Sequence, residues 1–235
     1  MTKRLAIIPA RGGSKRIKNK NIKLFCGRPM ITYTLESVIK SKLFNKIHVS
    51  TDSSKIRKVC EKKIKFDFER PKKLSGDNTS VMSVVNYVVK KYKDRGLNYD
   101  EVWLIFPCSP LIDIKDFLNI SKLVKKNKNK KTILTVCEYP SPIERSYKLS
   151  NKKYLKPIDK NNFKKRTQDL SQSYYETGAI MAIPKKNFTN INNKPNLKNL
   201  APYFVEKYKS IDVNNIKDWN FAELLYKSVK IRGNI

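Results

Sequence analysis

The chain is short of negative charge. Its 235 residues hold 20 Asp and Glu against 51 Lys and Arg, a formal net charge of +31. Two explanations compete. One is a polyanionic partner, either nucleic acid or phosphates. The other is compositional bias, because the lysines scatter over helix faces and loops and do not collect into one footprint. Runs such as KKNKNKK (Lys125–Lys131) then read as a solvated loop. Histidine is almost absent, with His48 alone, and the four cysteines (Cys26, Cys60, Cys108, Cys137) lie far apart with no CxxC. That argues against zinc and fits a reducing compartment. Neither GxxxxGK[ST] nor GxGxxG occurs, which excludes the common phosphate-loop signatures. An RNP motif, a zinc-finger pattern and a helix-turn-helix signal are missing too, which weakens the nucleic-acid reading. No stretch approaches 18 apolar residues, and the apolar run in MTKRLAIIPA is too short for a signal peptide. The expectation is a soluble, cytoplasmic protein with no membrane partner.

What is present is a globular composition, 40% hydrophobic and 10% aromatic, in a chain long enough for a sizeable core. Apolar runs alternate with helix-period segments. RLAIIP (Arg4–Pro9), KIHVST (Lys46–Thr51), EVWLIF (Glu101–Phe106) and TILTVCE (Thr132–Glu138) read as strands. MITYTLESVIKS (Met30–Ser41) has helical spacing. Ser53, then Thr79 or Ser80, then Asp113 can each cap a following helix. This β-α-β-α order predicts an α/β fold: a mostly parallel sheet with helices on both faces. GAIMAIP (Gly178–Pro184) and YKSIDV (Tyr208–Val213) read as two more strands, and NIKDWNFAELLYKSV as a closing helix. Residues 139–175 break the rhythm. They are polar, aromatic and Pro-punctuated, as a hairpin arm within a single domain spanning 1–235 would be. A Lys/Asn-rich loop is expected near Asn187–Asn199.

In open parallel sheets ligands bind at the carboxyl ends of strands. Four such ends carry polar groups here: ARGGSKR, STDSS, PCSPL and DVNNIKD. The first continues as ARGGSKRIKNKN (Ala10–Asn21). Gly12 and Gly13 would let backbone N–H groups approach an anion closely, and Arg11, Lys15 and Lys20 could neutralise a phosphate chain. A basic surface turn in a Lys-rich protein is the competing reading. His48 and both tryptophans, Trp103 and Trp219, read as core residues.

The segment from Ala10 to Ile56 resembles the N-terminus of the CMP-sialic-acid synthetase family, the cytidylyltransferases that activate nine-carbon α-keto sugar acids. ERPKKLSGDNTSV (Glu69–Val81), FPCSPLI (Phe106–Ile112) and SIDVNNIKDWNFAE (Ser210–Glu223) resemble later family motifs in the same order, so the likeness covers nearly the whole chain. SKR (Ser14–Arg16), Phe106, SPIERSYKL (Ser141–Leu149) and KRTQDLSQSYYETGAIM (Lys165–Met181) are most like the branch acting on pseudaminic acid. Enzymes for N-acetylneuraminic or legionaminic acid are the alternative. Tyr175-Glu176-Thr177 departs from that branch's pattern.

The resemblance implies a Rossmann-like nucleotidyltransferase fold, of the nucleotide-diphospho-sugar transferase type, with a protruding dimerisation arm at about 139–175. It also implies transfer of a cytidylyl group from CTP with Mg²⁺, in a homodimer. Arg11, Gly12, Gly13, Ser14, Lys15, Lys20 and Asn21 would hold the nucleotide, with Arg70, Asp77 and Ser80 contributing. Arg166, Gln168, Cys108 and Ser109 would meet the sugar acid. Arg11, Lys20 and Asp212 would carry the chemistry. Asp212 and Asn214 would be the metal ligands, and Asn214 stands where the family has a second aspartate. Asp218 or Asp52 could substitute. Cys108 replaces a common Thr, so it is not read as a nucleophile.

Overall fold

In the computed structural model, which describes residues 2–151, 153–188 and 199–231, alternation along the first strand sets up two cores. Strand β1 (Arg4–Pro9) turns Leu5 and Ile7 to one side and Ala6 and Ile8 to the other. The period of two makes this unavoidable, and a strand apolar on both faces must be covered on both. Helices α1 (Met30–Lys40), α2 (Ser54–Cys60) and α4 (Ile114–Lys126) pack with the Ala6/Ile8 side. Helix α3 (Val81–Lys93) brings Val85, Val88 and Tyr92 to the Leu5/Ile7 side. A third cluster joins Phe25, Met30 and Tyr33 to Trp219 and Ala222 of α5 (Ile216–Ile231). Both tryptophans are buried, as the sequence suggests.

The main sheet has six strands. With β4 (Lys46–Ser50), β5 (Glu101–Ile105), β6 (Thr132–Glu138), β9 (Tyr174–Pro184) and β10 (Leu200–Phe204), its order is β10-β6-β9-β5-β1-β4. β1 pairs in parallel with β4 and β5, and β10 in parallel with β6. β9 is antiparallel to both of its neighbours, which makes the sheet mixed. Two short ribbons complete the strands, β2 (Leu24–Phe25) with β3 (Arg28–Pro29) and β7 (Tyr147–Leu149) with β8 (Leu155–Pro157). The second is a short hairpin that lies within 139–175. The caps also follow the sequence. Ser53 accepts from the Ile56 amide, Ser80 from the Ser83 amide, and Asp113 forms a reciprocal capping box with Asp116.

One expected strand is absent. Tyr208–Val213 is a 3₁₀ turn at Lys207–Lys209 followed by loop, and the strand of this region is β10, upstream. The Lys209 side chain turns inward to two carboxylates. Pro202 is tolerated in β10 because that strand is at the sheet edge. The expected loop at Asn187–Asn199 falls largely outside the described residues.

Several buried polar groups are paired across the fold. Arg4 donates to Glu101 at 2.8 Å, and Trp103 Nε1 donates to the same carboxylate at 2.9 Å. Beside the edge strand β4, Tyr92 donates to Asp67 at 2.6 Å and His48 Nδ1 lies 3.1 Å from the Tyr92 hydroxyl. The tyrosine proton is thus committed, so His48 Nδ1 is the donor of its pair, and Nε2 is buried without a partner. Burial pushes the imidazole down to about 4, although Asp67 opposes this. The neutral form therefore prevails in the folded chain. Its contribution to stability is fully present above the unfolded value near 6.5 and is lost as pH falls toward the folded value. Between pH 7 and pH 5 this single group should remove about 2 kcal/mol of folding stability. His48→Gln should flatten that part of the profile in denaturant titrations; an unchanged slope would contradict it.

Candidate active site

The carboxyl ends of β1 and β5 open into one cleft of about 200 Å³. Arg11, Ser14, Lys15, Lys20 and Asn21 line it from the loop after β1. Phe106, Pro107, Cys108 and Ser109 line it from the loop after β5. Ile211, Asp212 and Asn214 close it from the segment before α5. Most of the residues singled out in the sequence therefore meet, although their loops are separated by about a hundred positions each.

Polar links between loops fix this geometry. Lys20 Nζ donates to the Val213 carbonyl at 2.9 Å, next to Asp212. Asn21 is buried, donates to the Arg11 carbonyl at 2.9 Å, and accepts from the Cys108 thiol at 3.3 Å. Burial pushes that thiol up to about 11, and Asp212 adds to the rise while Lys20 opposes it. Cys108 is thus protonated at neutral pH and is no nucleophile.

The first loop differs in detail from the simple cradle expected of it. The Gly12 amide donates to Asp52 at 2.9 Å, so Asp52 is committed to the loop's backbone. A Cβ at Gly12 would come within 3.0 Å of Ser53 Cβ, whereas one at Gly13 would meet nothing within 4 Å. Close packing against the α2 cap is what requires glycine at position 12. Neither Gly12 nor Gly13 lines the cleft wall.

Asp77 lies outside the cleft lining and pairs with Arg11 at 2.9 Å and Lys15 at 2.5 Å. Hydrogen bonds from Lys15 and then Arg11 hold its carboxyl below the usual range. Arg70 is buried behind β4, donating to the Ser50 hydroxyl at 3.2 Å and carbonyl at 2.7 Å. Burial lowers it to about 10. Ser80 caps α3. Arg166 and Gln168 are exposed on the arm, with Arg166 paired to Asp169 at 2.9 Å. None of these lines the cleft.

Thr177 and Gly178 do line it, and were not singled out. They sit where the β6–β9 register shifts, with Gly178 at φ 62°. Thr135 stabilises the irregularity. Its hydroxyl accepts from Thr177 at 2.9 Å and from the Ile180 amide at 3.0 Å. A bulge re-aims residues at a sheet's functional end. The signal was a lone glycine within a strand pattern.

Asp212 is exposed to the cleft, and the Asn214 side chain lies against its carboxylate. Asp218 is occupied as a cap, accepting from the Asn214 and Asn215 amides at 2.8 and 2.9 Å. Those amides hold it below the usual carboxylate range. No cluster of three or more His, Cys, Asp and Glu exists among the described residues. An all-protein cage is therefore not offered. One carboxylate facing a loop of cations fits Mg²⁺, which takes few protein ligands and completes its shell with phosphates and water, and the Asn214 amide turns its NH2 group to that carboxylate.

A model of the cytidylyltransferase family matches residues 5–225. The chain is 32% identical to a pseudaminic acid cytidylyltransferase of Campylobacter jejuni, over 96% of this chain and 97% of that protein. It is 27% identical to an N-acylneuraminate cytidylyltransferase of Escherichia coli, over 94% of this chain and 51% of that protein. The fold matches a structure of CMP:2-keto-3-deoxy-manno-octonic acid synthetase complexed with CTP, with a TM-score of 0.70 at 15% identity, covering 97% of this chain and 99% of that one. The sequence and the architecture agree, and the chain belongs to the cytidylyltransferase family.

Proposed function

We propose that this cytidylyltransferase converts CTP and pseudaminic acid into CMP-pseudaminic acid and diphosphate. N-acetylneuraminic and legionaminic acids are the alternative acceptors. The observation that carries the reading is the convergence of Arg11, Lys15 and Lys20 with Asp212 on one cleft at the carboxyl end of the sheet. Cations there suit a triphosphate, and a carboxylate opposite them suits a divalent cation.

In this reaction the acceptor's C2 hydroxyl attacks the α-phosphorus in line. The bond from that phosphorus to the bridging oxygen breaks, diphosphate leaves with the electron pair, and the hydroxyl proton passes to solvent water. Catalysis is then mainly positioning and charge stabilisation. Arg11 and Lys15 exchange Asp77 for the triphosphate, and Arg11 offers a planar fork for its oxygens. Lys20 lies beside Asp212 and stabilises charge developing on the leaving diphosphate. Asn21, fixed by Arg11 and Cys108, orients the nucleotide. Asp212 and Asn214 would hold Mg²⁺, which when bound supplies charge neutralisation at phosphate oxygens. The absence of a second carboxylate at position 214 leaves more of the ion's shell to phosphate and water.

The sugar-acid contacts expected of Arg166 and Gln168 call for a second copy. The arm that carries them exposes Tyr147, Leu149, Tyr154, Leu155 and Ile158. Such an apolar surface suits docking against another subunit, and the arm would deliver the two residues to the partner's cleft.

Diphosphate release should be seen with CTP, Mg²⁺ and pseudaminic acid, assayed beside the two alternative acids; no release with any of the three would overturn the reaction. Lys20→Ala should lower kcat by about 10²-fold or more while the thermal transition persists. Unchanged kinetics would remove Lys20 from the phosphate site. Sedimentation equilibrium at micromolar concentration should give a dimer, and a clean monomer would refute the exchanged arm.

A further inference from the structure

Asp212 stands on a segment with no sheet ladder of its own. β10 ends at Phe204, and residues 205–215 reach α5 through one 3₁₀ turn and loop. A segment of this kind is only as fixed as its side-chain anchors. Downstream of Asp212 the segment is held by Val213, which is buried and whose carbonyl accepts from Lys20; upstream the anchor is Lys209. Its side chain is 8% exposed, and its ammonium reaches Asp113 at 2.9 Å and Asp116 at 2.7 Å. Tyr203 donates to the other oxygen of Asp116 at 2.9 Å. Ser210, next in the chain, meets the Tyr175 hydroxyl at 2.9 Å.

The two carboxylates are not incidental partners. They form the reciprocal cap of α4, and Asp113 directly follows the loop that carries Cys108 and Ser109 into the cleft. One ammonium therefore ties the segment leading into Asp212 to the segment leading out of Cys108 and Ser109. Two residues, Ser210 and Ile211, lie between Lys209 and Asp212, so three residue steps give a reach of at most about 11 Å. Ser210 is held within that span, so little slack remains. The cap bonds of Asp113 and Asp116 run to each other's backbone amides and do not involve the ammonium. Removing the ammonium alone would leave two largely buried carboxylates uncompensated, which is why melting is read beside binding.

We propose that Lys209 is a positioning residue. It holds Asp212 at a set distance from the Pro107–Ile112 loop, so that a cation on Asp212 meets the phosphates held across the cleft. This rests on the reading of Asp212 as the carboxylate that holds the divalent cation.

Mn²⁺ is the probe, with binding to the protein–CTP complex read by electron paramagnetic resonance, beside metal-free CTP binding and thermal melting. Lys209→Met should raise the half-saturating Mn²⁺ concentration about 10-fold or more, in the range of other supporting residues around metals. Metal-free CTP affinity should move less than about 2-fold, since the cations of the first loop are untouched. Lys209→Arg should restore most of the Mn²⁺ binding. Val88→Ala lowers the melting temperature from the opposite face of the sheet and should leave Mn²⁺ binding alone. Equal Mn²⁺ loss in Val88→Ala, or none in Lys209→Met, overturns the proposal. Should Lys209→Met fail to fold, Lys209→Gln makes the same comparison. Asp212→Asn separates the two levels. If it binds Mn²⁺ like the wild type, the reading of Asp212 itself fails. If it alone loses Mn²⁺, only the role of Lys209 fails.

Discussion

The cleft depends on a lysine that spans almost the whole chain. Lys20 donates to the carbonyl of Val213, 193 residues away, and so joins the first loop to the segment that carries Asp212. The strand ends alone would not do this. A parallel sheet delivers several loops to one edge but leaves their mutual distances free. Here those distances are set by polar links: Lys20 to Val213, Asn21 to Cys108, and Lys209 to Asp113. The same constraint explains why a thiol stands at position 108. It need only donate one weak hydrogen bond to Asn21, and its burial keeps it protonated.

The excess of cations now divides into two kinds. Arg4, Arg70 and Lys209 are turned inward and paired, and they act as structural links. Arg11 and Lys15 lie on the cleft and share Asp77, an exposed carboxylate that a more highly charged anion can displace. An exposed pair of this sort contributes little to stability, so giving it up costs little. The remaining lysines are mostly solvent-facing, as a compositional bias would leave them.

Much of the fold was legible because its signals are local. The alternating strands β1, β4, β5 and β6 carry their period in a few residues. Ser53, Ser80 and Asp113 announce helix starts by the hydrogen bond that each can accept. Direction and non-local pairing were not legible. Nothing in GAIMAIP says that β9 runs antiparallel between β5 and β6. β10 was missed because LAPYF carries a proline and little alternation, while Ile211 and Val213 imitated a strand downstream. The cleft wall at Arg11–Asn21 was legible as a cluster of charge, whereas the links that depend on contacts far apart in sequence were not. Lys209 gives no signal in a chain with 51 Lys and Arg, and the part played by Thr135 appears only once β6 and β9 are paired.

The central claim is that the cations after β1 are a triphosphate cradle. Calorimetry of CTP against CMP, with and without Mg²⁺, addresses it directly. Arg11, Lys15 and Lys20 should make CTP bind at least about 10-fold more tightly than CMP, a difference of about 1.4 kcal/mol. Equal affinities would show that the β- and γ-phosphates are not held, and would contradict the account.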